Sequence, residues 1–237
     1  FASSQPFYDP EKRTFTFHHL EKGLFMPTGT MQSAGGSYQW CRDALSEREK
    51  ILAQELDVSV YQLMDLKASK VSPGCGGLLF LPYLLGERAP WWNPHARGAF
   101  IGLTPSHSKP HLIRSVLEGV SLNLRIILDA FREQGLCPDT LRLIGGGAKG
   151  DFWSNLLAQV LGVEILRPHY LEEATSLGAA VAGGVGVGMF KGLEVAKELV
   201  KIEDRFSPRA EMVEVYNRLY PIFKKAYLSL LPVFDDL

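Results

Sequence analysis

The sequence has few cysteines, no block of like charge and no long uninterrupted apolar run. Its three cysteines, Cys41, Cys75 and Cys137, lie far apart, with neither a CxxC pair nor the spacing of a zinc site. A disulfide framework is thereby excluded. Three small buried side chains in a reducing, cytoplasmic setting are the expectation. Lys and Arg number 25 against 26 for Asp and Glu, and no basic run appears, so the electrostatic footprint of a nucleic-acid binder is missing. The longest uncharged apolar stretch, Leu177 to Phe190, contains five glycines and falls short of the about 20 residues a membrane-spanning helix needs. It reads instead as a buried, closely packed helix. The opening residues, Phe1 to Pro6, lack the basic and apolar regions of a signal peptide. Near-neutrality leaves room for a polyanionic ligand, because backbone N–H groups and metal can hold phosphates.

What the chain has is apolar material, 46% of its residues, in a pattern of alternating strands and helices. Residues 7–32 alternate apolar and polar, with turn signals at Asp9-Pro10 and Lys22-Gly23, and predict short strands in a hairpin. From Ser37 the period becomes helical, and further helices are predicted at 46–56 and 59–66. Leu78 to Tyr83 reads as a buried strand, and residues 86–110 as a long functional loop. The longest predicted helix runs from Pro110 to Gln134, with an apolar stripe that includes Val116, Val120, Ile127 and Phe131. A strand at 141–144, a helix at 151–161, a strand at 163–166, the small-residue helix at 175–189 and a helix at 209–229 complete one α/β domain.

Leu143-Ile144-Gly145-Gly146-Gly147-Ala148-Lys149-Gly150-Asp151 takes a strand through a glycine cluster into a helix. Without Cβ atoms, such a corner lets a flat base or a sugar lie against the peptide planes, and the helix start offers free N–H groups. A tight turn with no ligand has the same pattern. The segment is not a Walker loop, since no G-K-[ST] follows, and its glycines are not spaced as in a dinucleotide fingerprint.

Upstream, Gly98, Phe100, Gly102-Leu103, His111-Leu112 and Ser115-Val116-Leu117-Glu118 resemble, position for position, the C-terminal signature of the FGGY carbohydrate kinases. Ser33 to Trp40 is similar to the segment opening the first helix of that family's C-terminal domain. Gly145 to Trp153 resembles its adenosine motif, and Glu173 to Ala180 its closing helix. The resemblance runs from about residue 25 to about residue 190. It implies an actin-like, RNase H-like ATPase lobe, a mixed sheet flanked by helices. In such kinases ATP and sugar meet in a cleft between two lobes.

Carried over by position, the resemblance makes Gly35, Gln39, Gly146, Gly147 and Asp151 the nucleotide-binding residues. Asp151 stands where some members have Asn; its carboxylate can accept from an adenine amino group or a ribose hydroxyl, or cap the helix. The lesser alternative for Gln39 is an exposed helix residue. The family's catalytic Asp and phosphate loops match nothing here, so no catalytic or metal-binding residue is nominated, and the sugar-binding N-terminal lobe is expected to lie outside this chain. The partners implied are ATP, Mg2+ between its phosphates, a small-molecule sugar and the absent lobe, with a homodimer left open and no membrane or nucleic acid. Xylulose is the favoured sugar, gluconate or another polyol the alternative. A non-catalytic nucleotide-binding or assembly module is the rival reading.

Other features read as structural. A Glu–Arg pair drawn from Glu87, Arg88 and Arg97 would pin the long loop, with Trp91 and Trp92 packed beneath it. His107 and His111 flank Pro110, which argues against a metal pair.

Overall fold

α4 (Lys109–Glu133) is the axis of the computed structural model, which describes residues 1–237. Ser108 and His111 form a reciprocal cap at its start, Pro110 occupies its first turn, and the chain leaves through Gly135. Ile113, Val116, Leu117 and Val120 are fully buried along it, joined by the small polar residues Ser115, Ser121 and Asn123. A helix buried on so many sides must have elements all round it.

Those elements follow in chain order. β1 (Phe15–His18) and β2 (Phe25–Thr28) form the predicted antiparallel hairpin. α1 (Ala34–Leu45), α2 (Glu47–Leu56) and α3 (Val60–Ser69) come next, with α1 and α3 packed on α4. β3 (Leu79–Leu81), buried at every residue, pairs antiparallel with β4 (Ala99–Ile101). After α4 come β5 (Thr140–Arg142), α5 (Asp151–Leu161) and β6 (Glu164–Pro168). Then follow α6 (Ala174–Gly186), α7 (Val195–Leu199), β7 (Ile202–Phe206) and α8 (Ala210–Asp236). The mixed sheet has three strands, with β6 central, parallel to β5 and antiparallel to β7. No helix is long and apolar enough to cross a membrane.

A buried ion pair ties the two longest helices together. Arg114 and Glu118 are 5% and 3% exposed, and the guanidinium Nε donates to Glu118 Oε1 at 2.7 Å. The same oxygen accepts from Tyr216 of α8 at 2.9 Å and from the Gly74 N–H at 3.0 Å. The remaining guanidinium donors reach the Val71 carbonyl and the Tyr216 hydroxyl. Each charge thus has its counter-charge and further hydrogen bonds, as such burial requires.

Several expectations are corrected. The long loop contains β4, whose three residues gain their partners from β3. α7 and β7 were not foreseen. α8 continues past its expected end at 229, through Pro232 to Asp236, because Tyr216, Phe223, Tyr227 and Phe234 bury one continuous face. The helix at 175–189 is mostly exposed: in α6 only Val181 and Gly184 are buried. Glu87 pins the loop without an arginine partner, accepting from the backbone N–H groups of Gln32 and Arg88 and from Asn123. Arg97 donates to the carbonyls of Pro94 and Ala96 instead. Trp91 stacks on Tyr227 at 4.3 Å, whereas Trp92 is 49% exposed. Cys41 and Cys75 are buried, but Cys137 is not.

Candidate functional site

The glycine corner begins where β5 ends. Gly145 has φ +80° and ψ −173°, a backbone state in which a Cβ is strained, and its N–H donates to the Leu171 carbonyl at 2.9 Å. Gly146–Lys149 then make one tight helical turn, Gly150 takes the cap position, and α5 starts at Asp151. This corner forms one wall of a cavity of about 670 Å³, within the size range of small-molecule sites.

α1 forms the second wall. Gly35, Tyr38 and Gln39 face the cavity, their three- and four-residue spacing placing them on one side of the helix. The first-turn N–H groups, Gly35 among them, have no partner inside the helix. A Cβ at Gly35 or Gly146 would meet nothing within 4 Å. At Gly147 it would lie 3.1 Å from the Trp153 ring, so this glycine makes room for the indole rather than for open space. Trp153 is held by a bond from its Nε1 to Ser121 Oγ at 3.2 Å and by an edge-on contact with Tyr38 at 5.7 Å.

α3 supplies the third wall, which sequence reasoning missed: Ser59, Tyr61, Gln62 and Asp65. Ser59 and Gln62 form a capping box. That S-x-x-Q pattern is a local signal that could have placed the helix start, although nothing in it tells which face meets a cavity. The Tyr38 hydroxyl donates to Asp65 Oδ1 at 2.7 Å. Burial pushes the Asp65 carboxyl up to about 6, against the lowering effect of the Tyr38 bond, with the Asp151 charge adding to the rise. Burial also drives the Tyr38 hydroxyl well above its ordinary value, as does the neighbouring carboxylate. At the rim, Lys149 and Glu172 form an exposed ion pair at 2.7 Å.

Four of the five expected site residues, Gly35, Gln39, Gly146 and Gly147, therefore line one cavity. Asp151 does not line it. Its carboxylate, 74% exposed, is held by Arg167 at 2.7 Å, and Arg167 also binds Asp204 and the Ala148 carbonyl. Nor does Asp151 cap α5, since Gly150 holds that position; it sits in the first turn, where a negative charge suits the helix dipole. The chain brings no group of three or more His, Cys, Asp or Glu side chains together as a metal site. His107 Nδ1 accepts from the Thr104 N–H of its own loop at 2.9 Å, and its Nε2 lies 3.0 Å from the Cys75 carbonyl oxygen of another.

The cavity thus offers aromatic surface, open space over glycine backbone, and amide and carboxylate groups: equipment for holding a flat, hydroxyl-bearing molecule. Comparison with known proteins gives this geometry a context. Residues 3–187 match the model of the FGGY family of carbohydrate kinases, C-terminal domain. The chain is 34% identical over 223 residues to a gluconokinase of Bacillus licheniformis, covering 92% of this chain and 42% of that protein. It is 33% identical over 222 residues to a xylulose kinase of Staphylococcus epidermidis, covering 93% of this chain and 42% of that one. The solved xylulose kinase of Rhodospirillum rubrum superposes with a TM-score of 0.81 at 32% identity, over 99% of this chain and 45% of the other. The chain spans less than half the length of the relatives it matches.

Proposed function

We propose a function from one premise: the chain belongs to the FGGY family of carbohydrate kinases, which it matches through the C-terminal domain. On this reading it is the nucleotide lobe of a longer enzyme that moves the γ-phosphate of ATP to a sugar hydroxyl. The observation that carries the reading is the meeting of Gly35 and Gln39 with Gly146 and Gly147 around one cavity. These segments lie about 110 residues apart in the chain. The nucleoside would lie over the open backbone at Gly35 and Gly146, flanked by Tyr38 and Trp153. Gln39 would bond a ribose hydroxyl. Magnesium would arrive on the phosphates as part of the substrate, neutralising charge during transfer.

Asp151 keeps a role at one remove: with Arg167 it fixes the glycine corner against β6 and β7. The exposed, small-residue face of α6 is the proposed seat of the sugar lobe, whose closure would exclude water from the transferring phosphoryl group. Xylulose is the favoured acceptor, in keeping with the solved xylulose kinases among its structural neighbours. Gluconate is the second reading, supported by the gluconokinase relative.

Titration of this chain with ADP tests the site. Ligand that binds only the folded state raises the melting temperature, by a free energy of RT ln(1 + [L]/Kd). Calorimetry should give one site per chain. Gly146→Val, whose Cβ would meet nothing within 4 Å, is expected to abolish both signals and leave the ligand-free melting temperature in place. ADP binding that survives this change would remove the glycine corner from the site. For the longer protein, ATP consumption with xylulose, gluconate and glycerol decides the acceptor. Nucleotide binding without any sugar-dependent turnover would favour the assembly-module reading.

A further inference from the structure

Asp65 is a partly buried acid with fewer partners than the buried acids of this chain. Glu118 accepts from Arg114, Tyr216 and the Gly74 N–H. Glu49 faces both Lys67 and Lys109. Asp9 is gripped by the Arg13 guanidinium on both oxygens. Glu87 takes three N–H donors. Asp65 has one bond, from Tyr38 to Oδ1, and no basic side chain within ion-pair range. Its second oxygen lies where a Cβ on Gly150 would come within 2.5 Å, so the glycine corner is drawn close against it. With one bond in place, this carboxylate keeps acceptor capacity, and it belongs to a residue that lines the cavity.

The position of Asp65 in the cavity decides which part of a ligand it meets. Tyr38 and Trp153, its neighbours, are 5% and 6% exposed and mark the inner end. Gln39, Gln62, Lys149 and Glu172 are more open to solvent and mark the mouth. A nucleotide must keep its phosphates in water or beside cations, and an unpaired carboxylate repels them. Phosphates therefore belong near Lys149 at the mouth, and the flat base enters first, against the aromatic side chains.

We propose that Asp65 is a specificity-determining residue for the base: its free oxygen accepts a hydrogen bond from the 6-amino group of the purine. The inference rests on the nucleotide reading above. The hydroxyl of Tyr38 is the positioning group, holding Oδ1 so that Oδ2 is presented inward.

Calorimetric titration of the parent chain with ADP, purine riboside 5′-diphosphate (which lacks the amino group) and GDP tests it. A hydrogen bond to a charged acceptor corresponds to roughly 10- to 100-fold in affinity, so ADP should bind at least about tenfold more tightly than the other two. In Asp65→Asn, the Tyr38 hydroxyl retains the amide oxygen and turns the NH2 inward, replacing acceptor by donor. ADP affinity should then fall to that of the amino-free compound, whose own affinity stays unchanged. Equal binding of ADP and purine riboside diphosphate by the parent overturns the assignment even if the variant does not fold. GDP matching ADP overturns the 6-amino edge. If none of the three binds the parent, the nucleotide reading itself fails and this inference falls with it.

Discussion

Glu118 and Asp65 are both acids turned away from bulk water, yet the protein treats them in opposite ways. Around Glu118, where α4 meets α8, one carboxylate oxygen accepts from Arg114, Tyr216 and the Gly74 N–H, and the bonds join two long helices beside a cation. Around Asp65, where α3 meets the glycine corner, a single hydroxyl does the holding and an acceptor remains over. The difference separates a densely bonded junction from a cavity wall with acceptor capacity to spare. Burial pushes the Asp65 carboxyl up to about 6, with no cation beside it to oppose the rise.

The largest effect should come from breaking the densely bonded junction. Arg114→Met leaves Glu118 buried without its cation, and a loss of about 3–5 kcal/mol in urea unfolding is expected. A loss below about 1 kcal/mol would erase the contrast between the two regions. Glu87 is the intermediate case, with three N–H donors but no cation. Burial, opposed by those bonds, raises its carboxyl from 4.5 to about 7. The folded protein thus keeps a proton that the unfolded chain has released, so stability falls as pH rises from about 4.5 through about 7. Glu87→Gln should flatten that segment of the stability profile, at a cost of about 1 kcal/mol near pH 5. A variant profile parallel to the parent's across this window would show that Glu87 does not titrate there. The smallest effect belongs to the exposed rim. Lys149→Ala, which removes the partner of Glu172, should change stability by less than about 1 kcal/mol, and a larger change in the thermal melt would put the rim on a par with the bonded junction.

Much of the first region was legible in the sequence. The stripe of α4 repeats at helical spacing over seven turns, so its length and buried face could be read directly. The hairpin, β3 and the strand–glycine–helix corner also carry local signals. β4 carried none, because three residues in a loop rich in glycine and proline become a strand only when β3 lies beside them. The exposure of α6 was hidden for a related reason: apolar composition tells that a surface avoids water, not what covers it.

The cavity was half legible. Gly35 and Gln39 were joined to Gly146 and Gly147 by resemblance, since no local rule connects segments so far apart. The α3 wall was missed because Gln62 and Asp65, seen in sequence, look like the solvent side of a short helix. Asp151 was drawn toward the cavity in the same way, whereas the direction of its carboxylate is set by Arg167 on β6, a residue the motif does not contain.

Trp153 gives the molecule a fluorescence signal of its own. Trp91 is stacked on Tyr227, Trp40 on Phe80, and Trp92 bonds the Lys12 carbonyl at the surface. Trp153 alone among the four indoles stands in the cavity wall. A shift or quenching of its emission on addition of ADP, lost in Trp153→Phe, is the expected signature of a filled cavity. The fold has in this way placed a spectroscopic gauge at the one spot where occupancy can be read without a label.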